Sequence, residues 1–134
     1  MHEVGHTLGL RHNFKSSWIY DAEEIHDVSV TGDNHIGSVM DYDPINLAPE
    51  GIAQGNYFPS GPGSYDMWAI EFGYTPNLSD EQRESILSKS SQPEYIFGTD
   101  GDAMSSPGVN ICLLYTSDAA DEGLGVDLGG RRII

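Results

Sequence analysis

Basic residues are scarce in this 134-residue chain: six Lys and Arg stand against 21 Asp and Glu, a formal charge of −15 at neutral pH. Phosphate would be repelled, which argues against nucleic acid or an anionic membrane surface as a partner. Cysteine is nearly absent. The single Cys112 excludes an intrachain disulfide framework, and redox compartment cannot be read from one thiol. No apolar run approaches the roughly 18 residues of a membrane helix, and nothing after Met1 has the pattern of a secretory signal. Apolar side chains are also few: Leu, Ile, Val and Phe make up 30 of 134 residues, close to the level below which highly charged chains do not fold. The length allows one domain at most, with little core to spare.

Against this background one stretch is dense with chemistry. Residues 2–12 read His2-Glu3-Val4-Gly5-His6-Thr7-Leu8-Gly9-Leu10-Arg11-His12, the pattern HExxHxxGxxH. On a helix, His2 and His6 lie four apart on one face, where both imidazoles reach a single ion. Glu3 falls beside the ion and not on it, free to take a proton from an activated water. Gly9 adopts a positive φ at little cost, which ends the helix and turns the chain back so that His12 supplies a third nitrogen. Three protein ligands leave a fourth position open, as in a catalytic and not a closed structural zinc site. In a chain of this composition the full pattern arises by chance roughly once in 20,000, so coincidence is a poor account of it.

HExxHxxGxxH is the signature of the metzincin clan of zinc metallopeptidases, and the chain resembles that clan. The resemblance implies a second signature, a Met-containing turn beneath the metal. Ser38-Val39-Met40-Asp41-Tyr42 is similar to it, with Met40 under the zinc. In some metzincins the Tyr two places after that Met is a further zinc ligand that swings away to stabilise the oxyanion, and Tyr42 holds the matching place. A closer likeness joins residues 2–17, 38–46, 65–74 and 97–100 to a family of large bacterial zinc-dependent metalloproteases with flanking domains of unassigned function. Asn13 departs from the Asp found after the third ligand in several metzincin subfamilies.

The resemblance implies an α+β fold, of which this chain holds the active-site helix, the Met-turn and a C-terminal helical subdomain, without the N-terminal sheet. Residues 1–110 are expected to form this partial catalytic domain, as an internal fragment of a longer polypeptide. Residues 111–134 are expected to be a non-native or disordered tail; the stretch from Cys112 to Gly123 resembles the translated read-through of a sequencing adapter.

Elsewhere the residues support plainer expectations. From Asn13 to about Gly63 the composition reads as loop with short strands. Within it, 18–25 or 56–60 are candidates for a specificity-pocket wall, although ordinary packing explains Trp18, Tyr20, Tyr57 and Phe58 as well. Ser64 is expected to cap a helix whose core stripe is Tyr65, Trp68, Ala69 and Phe72, stopped by Gly73; the resemblance implies that this stripe packs on the active-site helix. Ser79-Asp80-Glu81-Gln82 is a capping box opening a helix through about Lys89, with Ile86 and Leu87 facing inward. Residues 94–97 read as a short strand and 100–102 as a turn. The acids there and at Asp41 and Asp43 are expected to be solvated, since a hard cation needs six or more oxygens. His26 and His35, outside ligand spacing, are expected to be surface or loop histidines.

The function these readings imply is zinc-dependent hydrolysis of a protein or peptide substrate, with His2, His6 and His12 on Zn²⁺, Glu3 as general base and Tyr42 supporting the oxyanion. Acidity and resemblance together suggest an exported or envelope enzyme. A non-catalytic zinc-binding or adhesion module and an inactive fragment remain as alternatives; a hydrolase that takes its third ligand from a distant Glu is disfavoured, because His12 already supplies one.

Overall fold

The computed structural model describes residues 1–105, and the tail expected from residue 111 lies outside the described residues. Five short α-helices appear among them: α1 His2–Thr7, α2 Val28–Thr31, α3 Ser64–Tyr74, α4 Asp80–Leu87 and α5 Asp100–Ser105. Single 3₁₀ turns occupy Ser16–Trp18, Glu24–His26, Ser88–Ser91 and Pro93–Tyr95. No strand occurs among the described residues, so the α+β expectation is met only in its helical part.

α1 ends as its glycine predicts. Gly9 sits at φ 88°, and the amides of Gly9 and Leu10 return to the carbonyls of His6 and Gly5 at 2.9 and 3.0 Å. That paired bonding is a Schellman stop, which satisfies the last carbonyls and reverses the chain toward His12.

The segment expected as a strand at 94–97 instead opens with a 3₁₀ turn at Pro93–Tyr95. Pro93 starts the turn with its fixed φ, and the extended residues that follow find a side chain where a strand edge would stand. Asn13, fully buried, donates Nδ2 to the Ile96 carbonyl at 2.9 Å and accepts the Gly98 amide on Oδ1 at 3.0 Å. The Phe14 amide then bonds the Gly98 carbonyl at 3.0 Å. One amide side chain thus does the work of a ladder rung.

α3 begins at Ser64 with Gly63 as its N-cap, one residue before the expected position, and continues through Gly73 to Tyr74. The stop is Pro76: the residue before it, Thr75, is forced into an extended conformation (φ −71°, ψ 119°). The aromatic stripe packs on the C-terminal segment and α4 and not on α1. Tyr65 stacks on Phe97 at 5.5 Å, Trp68 stacks on Tyr95 at 5.5 Å, and Trp68 Nε1 donates to the Ile86 carbonyl at 2.8 Å. Tyr65, Trp68 and Tyr95 are half-buried, Phe72 and Phe97 are exposed, and the one buried residue of α3 is Asp66. The link from α3 to α1 is the Tyr74 hydroxyl on the Leu8 carbonyl, 2.9 Å.

α4 carries the expected capping box, with Ser79 Oγ accepting the Gln82 amide and Gln82 Oε1 accepting the Ser79 amide. Ile86 is buried; Leu87, expected inward, is 41% exposed. Residues 100–102 open α5 in place of a turn. Thr99 and Asp102 cap it reciprocally, the Thr99 amide on Asp102 Oδ2 at 2.8 Å and the Asp102 amide on Thr99 Oγ1 at 3.4 Å.

What lies inside this fold is mostly polar. Among the described residues the buried large apolar side chains are Phe14, Ile36, Met40 and Ile86, whereas His12, Asn13, Ser16, Ser38, His35, Asp41 and Asp66 are buried beside them. His35 and His26 are therefore buried and not at the surface, His35 in a loop as expected and His26 in the 3₁₀ turn Glu24–His26. His35 Nε2 meets Asp43 Oδ2 at 2.7 Å. Asp41 and Asp43 are not freely solvated acids either. Burial pushes both carboxyls above the usual range, against hydrogen bonds from Tyr42 N, Ser16 and Ser17 to Asp41 and from His35 to Asp43.

A candidate metal centre on His2, His6 and His12

Three elements assemble the site. α1 presents His2 and His6 one turn apart, the chain reversal at Gly9 brings back His12, and the turn Ser38–Tyr42 lies under them. One potential ligand atom from each histidine falls within 4.8 Å of the other two. Ring centroids are 4.8 Å apart for His2 and His6, 4.9 Å for His6 and His12, and 5.4 Å for His2 and His12.

Each ring is held through its other nitrogen. His2 Nδ1 bonds the Val39 carbonyl at 2.8 Å, His6 Nδ1 the Leu10 carbonyl at 3.1 Å, and His12 Nδ1 the Asp100 carboxylate at 2.8 Å. These acceptors carry no proton of their own, so each Nδ1 must be the N–H donor, which leaves the lone pair on Nε2. The tautomers are fixed by the partners and face the shared space. His2 Nε2 is buried there with no hydrogen-bond partner among the described residues, an expensive state for an imidazole nitrogen unless something coordinates it. The residues fit a zinc-sized cation: neutral imidazoles, three donors and an outer layer of acceptors that orients them.

The floor is built from two close approaches. Met40 has no exposed surface and packs so tightly beneath α1 that a Cβ on Gly5 would overlap its Sδ. Gly5, inside the pattern but assigned no role there, is required for that contact. Asp66 holds the turn from the other side: it accepts Ser38 Oγ at 2.5 Å, the Val39 amide at 2.8 Å and the Gly63 amide at 2.9 Å. Ser38 Oγ in turn accepts the Met40 amide at 3.0 Å, and the Met40 carbonyl receives the Asn13 amide at 3.0 Å. The carbonyl that orients His2 thus belongs to a turn pinned on both flanks.

Tyr42 joins the cluster. Its ring lies 4.5 Å from that of His2, and its hydroxyl stands 3.2 Å from His12 Nε2. Glu3 is exposed beside His2 in α1. A cavity of about 250 Å³ opens next to His2, lined by Ile36, Val39, Asp41, Asp43, Pro59 and Gly61 among others. Of the two wall candidates, the 56–60 stretch reaches it through Pro59, whereas 18–25 contributes no lining residue. Trp18 is 59% exposed, with the Lys15 ammonium 5.7 Å from its ring. His26 and His35 stay outside the cluster.

Three supporting residues escaped the reading of the sequence. Asp66 had a signal, an acid at the third helical position of α3 that reaches back to the Gly63 amide. Asn13 stood next to the third ligand, where only its departure from a subfamily pattern was apparent. Asp100 had the Thr99-to-Asp102 cap to place it on a helix, but nothing local to join it to His12. Burial on its own raises the Asp100 carboxyl, yet hydrogen bonds from His12 and Arg11, with their charge, outweigh it and hold the group below the usual carboxylate range.

No curated protein and no solved structure matched the chain. A family model described as Met-zincin matches residues 1–120, a span that takes in every side chain of the cluster and its supports. That family implies zinc binding and a metallopeptidase type of function. By the extent of this match, the chain belongs to the Met-zincin family.

Proposed function

We propose that the chain carries the catalytic centre of a zinc-dependent endopeptidase, with His2, His6 and His12 as zinc ligands and Glu3 as general base. One observation carries the reading: three Nδ1 atoms are tied to three separate acceptors, and one potential ligand atom of each histidine falls within 4.8 Å of the other two. When bound there, zinc supplies Lewis-acid polarisation of the scissile carbonyl and lowers the pKa of a water molecule.

The chain's own residues do the rest. Glu3 accepts a proton from the attacking water and passes it to the leaving amine. The Tyr42 hydroxyl, already 3.2 Å from His12 Nε2, donates to the developing oxyanion. Met40 is the methionine of the Met-turn, and its part is to pack beneath the ligand helix so that the Val39 carbonyl stays on His2. The cavity beside His2 receives a substrate side chain next to the scissile bond. The substrate is a protein or peptide, and the centre acts within an exported polypeptide that has flanking domains.

Glu3→Gln tests the assignment. Zinc content is expected to stay at the wild-type level while hydrolysis of an unstructured protein substrate falls about 10²- to 10⁴-fold. Turnover at the wild-type rate would remove Glu3 as the base. Zinc binding with no turnover even in the wild type would favour a non-catalytic zinc module.

A further inference from the structure

The three imidazoles are not held alike. His2 and His6 each donate to a neutral backbone carbonyl, whereas His12 donates to a carboxylate that arrives from 88 residues further along the chain. A charge-assisted hydrogen bond is shorter and about twice as strong as a neutral one, and a carboxylate on the outer nitrogen raises the basicity of the inner one. We propose that Asp100 is a positioning residue of the metal centre, fixing the tautomer and plane of His12 and making it the strongest of the three donors. The inference rests on the zinc reading above and adds to it a residue outside the HExxHxxGxxH pattern.

The geometry favours orientation over mere stabilisation. Both carboxylate oxygens are committed to consecutive residues, Oδ1 to His12 at 2.8 Å and Oδ2 to Arg11 at 2.9 Å, so the carboxylate cannot rotate without losing one of them. The Arg11 bond is an exposed ion pair, with the two side chains 77% and 42% accessible, and such pairs contribute little to stability. The His12 side chain is 6% accessible, so its bond to Asp100 is the sheltered one. Asp100 is itself placed by its neighbours: Thr99 and Asp102 cap α5 around it, and Asn13 and Phe14 hold Gly98 two residues before. The first residues after the third ligand therefore grip the segment that returns to orient that ligand.

The test is zinc affinity of the whole chain, measured by competition with a chromophoric chelator, together with the visible spectrum of the Co²⁺-substituted protein. Asp100→Ala is expected to weaken zinc binding about 10- to 100-fold and to shift the Co²⁺ bands. Asp100→Asn, whose amide oxygen still accepts from Nδ1, should recover part of the affinity, and Arg11→Ala should stay within about twofold of wild type. Asp100→Ala binding zinc as tightly as wild type, while His12→Ala loses it, would overturn the positioning role and leave the metal centre standing. Loss of the metal-free fold in both Asp100 variants would also overturn it, by making the residue structural. Zinc affinity unchanged in His2→Ala, His6→Ala and His12→Ala, or absent in the wild type, would overturn the metal-centre reading itself.

Discussion

Residues 12–41 and residues 64–87 fill their buried positions with different chemistry. In the first region the buried polar side chains are His12, Asn13, Ser16, His26, Thr31, His35, Ser38 and Asp41, with Phe14, Ile36 and Met40 set among them. His12, Ser16, His35 and Ser38 bond the carboxylates of Asp100, Asp41, Asp43 and Asp66, and Asn13 bonds the backbone of Ile96 and Gly98. In the second region the two helices meet at one buried aliphatic, Ile86, and a hydrogen bond from Trp68, while the other buried residue, Asp66 on α3, turns its carboxylate away to the turn at Ser38–Val39 and so belongs to the support of the first region. The first is held by directional bonds that fix positions to tenths of an ångström; the second is held by contact area, which tolerates sliding. A ligand set requires the former kind of support, and the polar region is where it lies.

The contrast can be broken by substitution, and the largest effect is expected at Asp66. Removing its carboxylate leaves the Ser38 hydroxyl and the Val39 and Gly63 amides without their acceptor. At about 1–3 kcal/mol for each buried donor left unpaired, Asp66→Ala should cost roughly 3 kcal/mol or more in chemical denaturation. A cost under about 1 kcal/mol would mean that the turn under the ligands is not held from α3. In the helical pair, Ile86→Ala is expected to cost about 2 kcal/mol, at the lower end for a buried aliphatic because its surroundings are open enough to collapse. Leu87→Ala, at a 41% exposed position, should fall within about 0.5 kcal/mol of wild type. Equal losses at Ile86 and Asp66 would erase the distinction.

The smallest effect is a change of pH dependence. Burial raises the Asp41 carboxyl above its unfolded value, and its hydrogen bonds from Tyr42 N, Ser16 and Ser17 only partly offset this. A group with a raised folded pKa contributes stability that is complete below the unfolded pKa and is lost as pH rises through the folded one. The stability of wild type relative to Asp41→Asn should therefore decline from about pH 4 toward neutrality. A difference that grew with pH over that range would show the carboxylate to be stabilised in the fold.

The same contrast explains which parts could be read in advance. The spacing that clusters His2, His6 and His12, the reversal at Gly9 and the capping box at Ser79 are local patterns, and the structure shows each of them. The aromatic stripe of α3 was also legible as a stripe, but its partner was not, because Tyr65 and Trp68 meet residues 95–97 across a gap that no periodicity encodes. Asp66, Asn13, His35 and Asp100 were misread or passed over for one reason. A polar residue held by a distant partner looks like a solvated one until that partner is known, and Asp43 lies 8 residues from His35, Ser38 28 from Asp66, Ile96 83 from Asn13 and His12 88 from Asp100. The strand expected at 94–97 failed similarly, since the group that satisfies it is the Asn13 side chain.

The carboxylate that grips His12 also sets the order of events during synthesis. All three imidazoles leave the ribosome within eleven residues of one another, yet Asp100 follows His12 by 88 residues, which at about 5–20 residues per second is a delay of roughly 4–18 seconds. For nearly all of that interval the ligand helix exists without the Asn13 clasp on residues 96–98 or the acid that orients His12. Any cation captured early would meet flexible, half-oriented imidazoles with little power to choose among divalent metals. Selectivity for the metal would then be a property acquired late, by the finished chain and in whatever compartment it reaches.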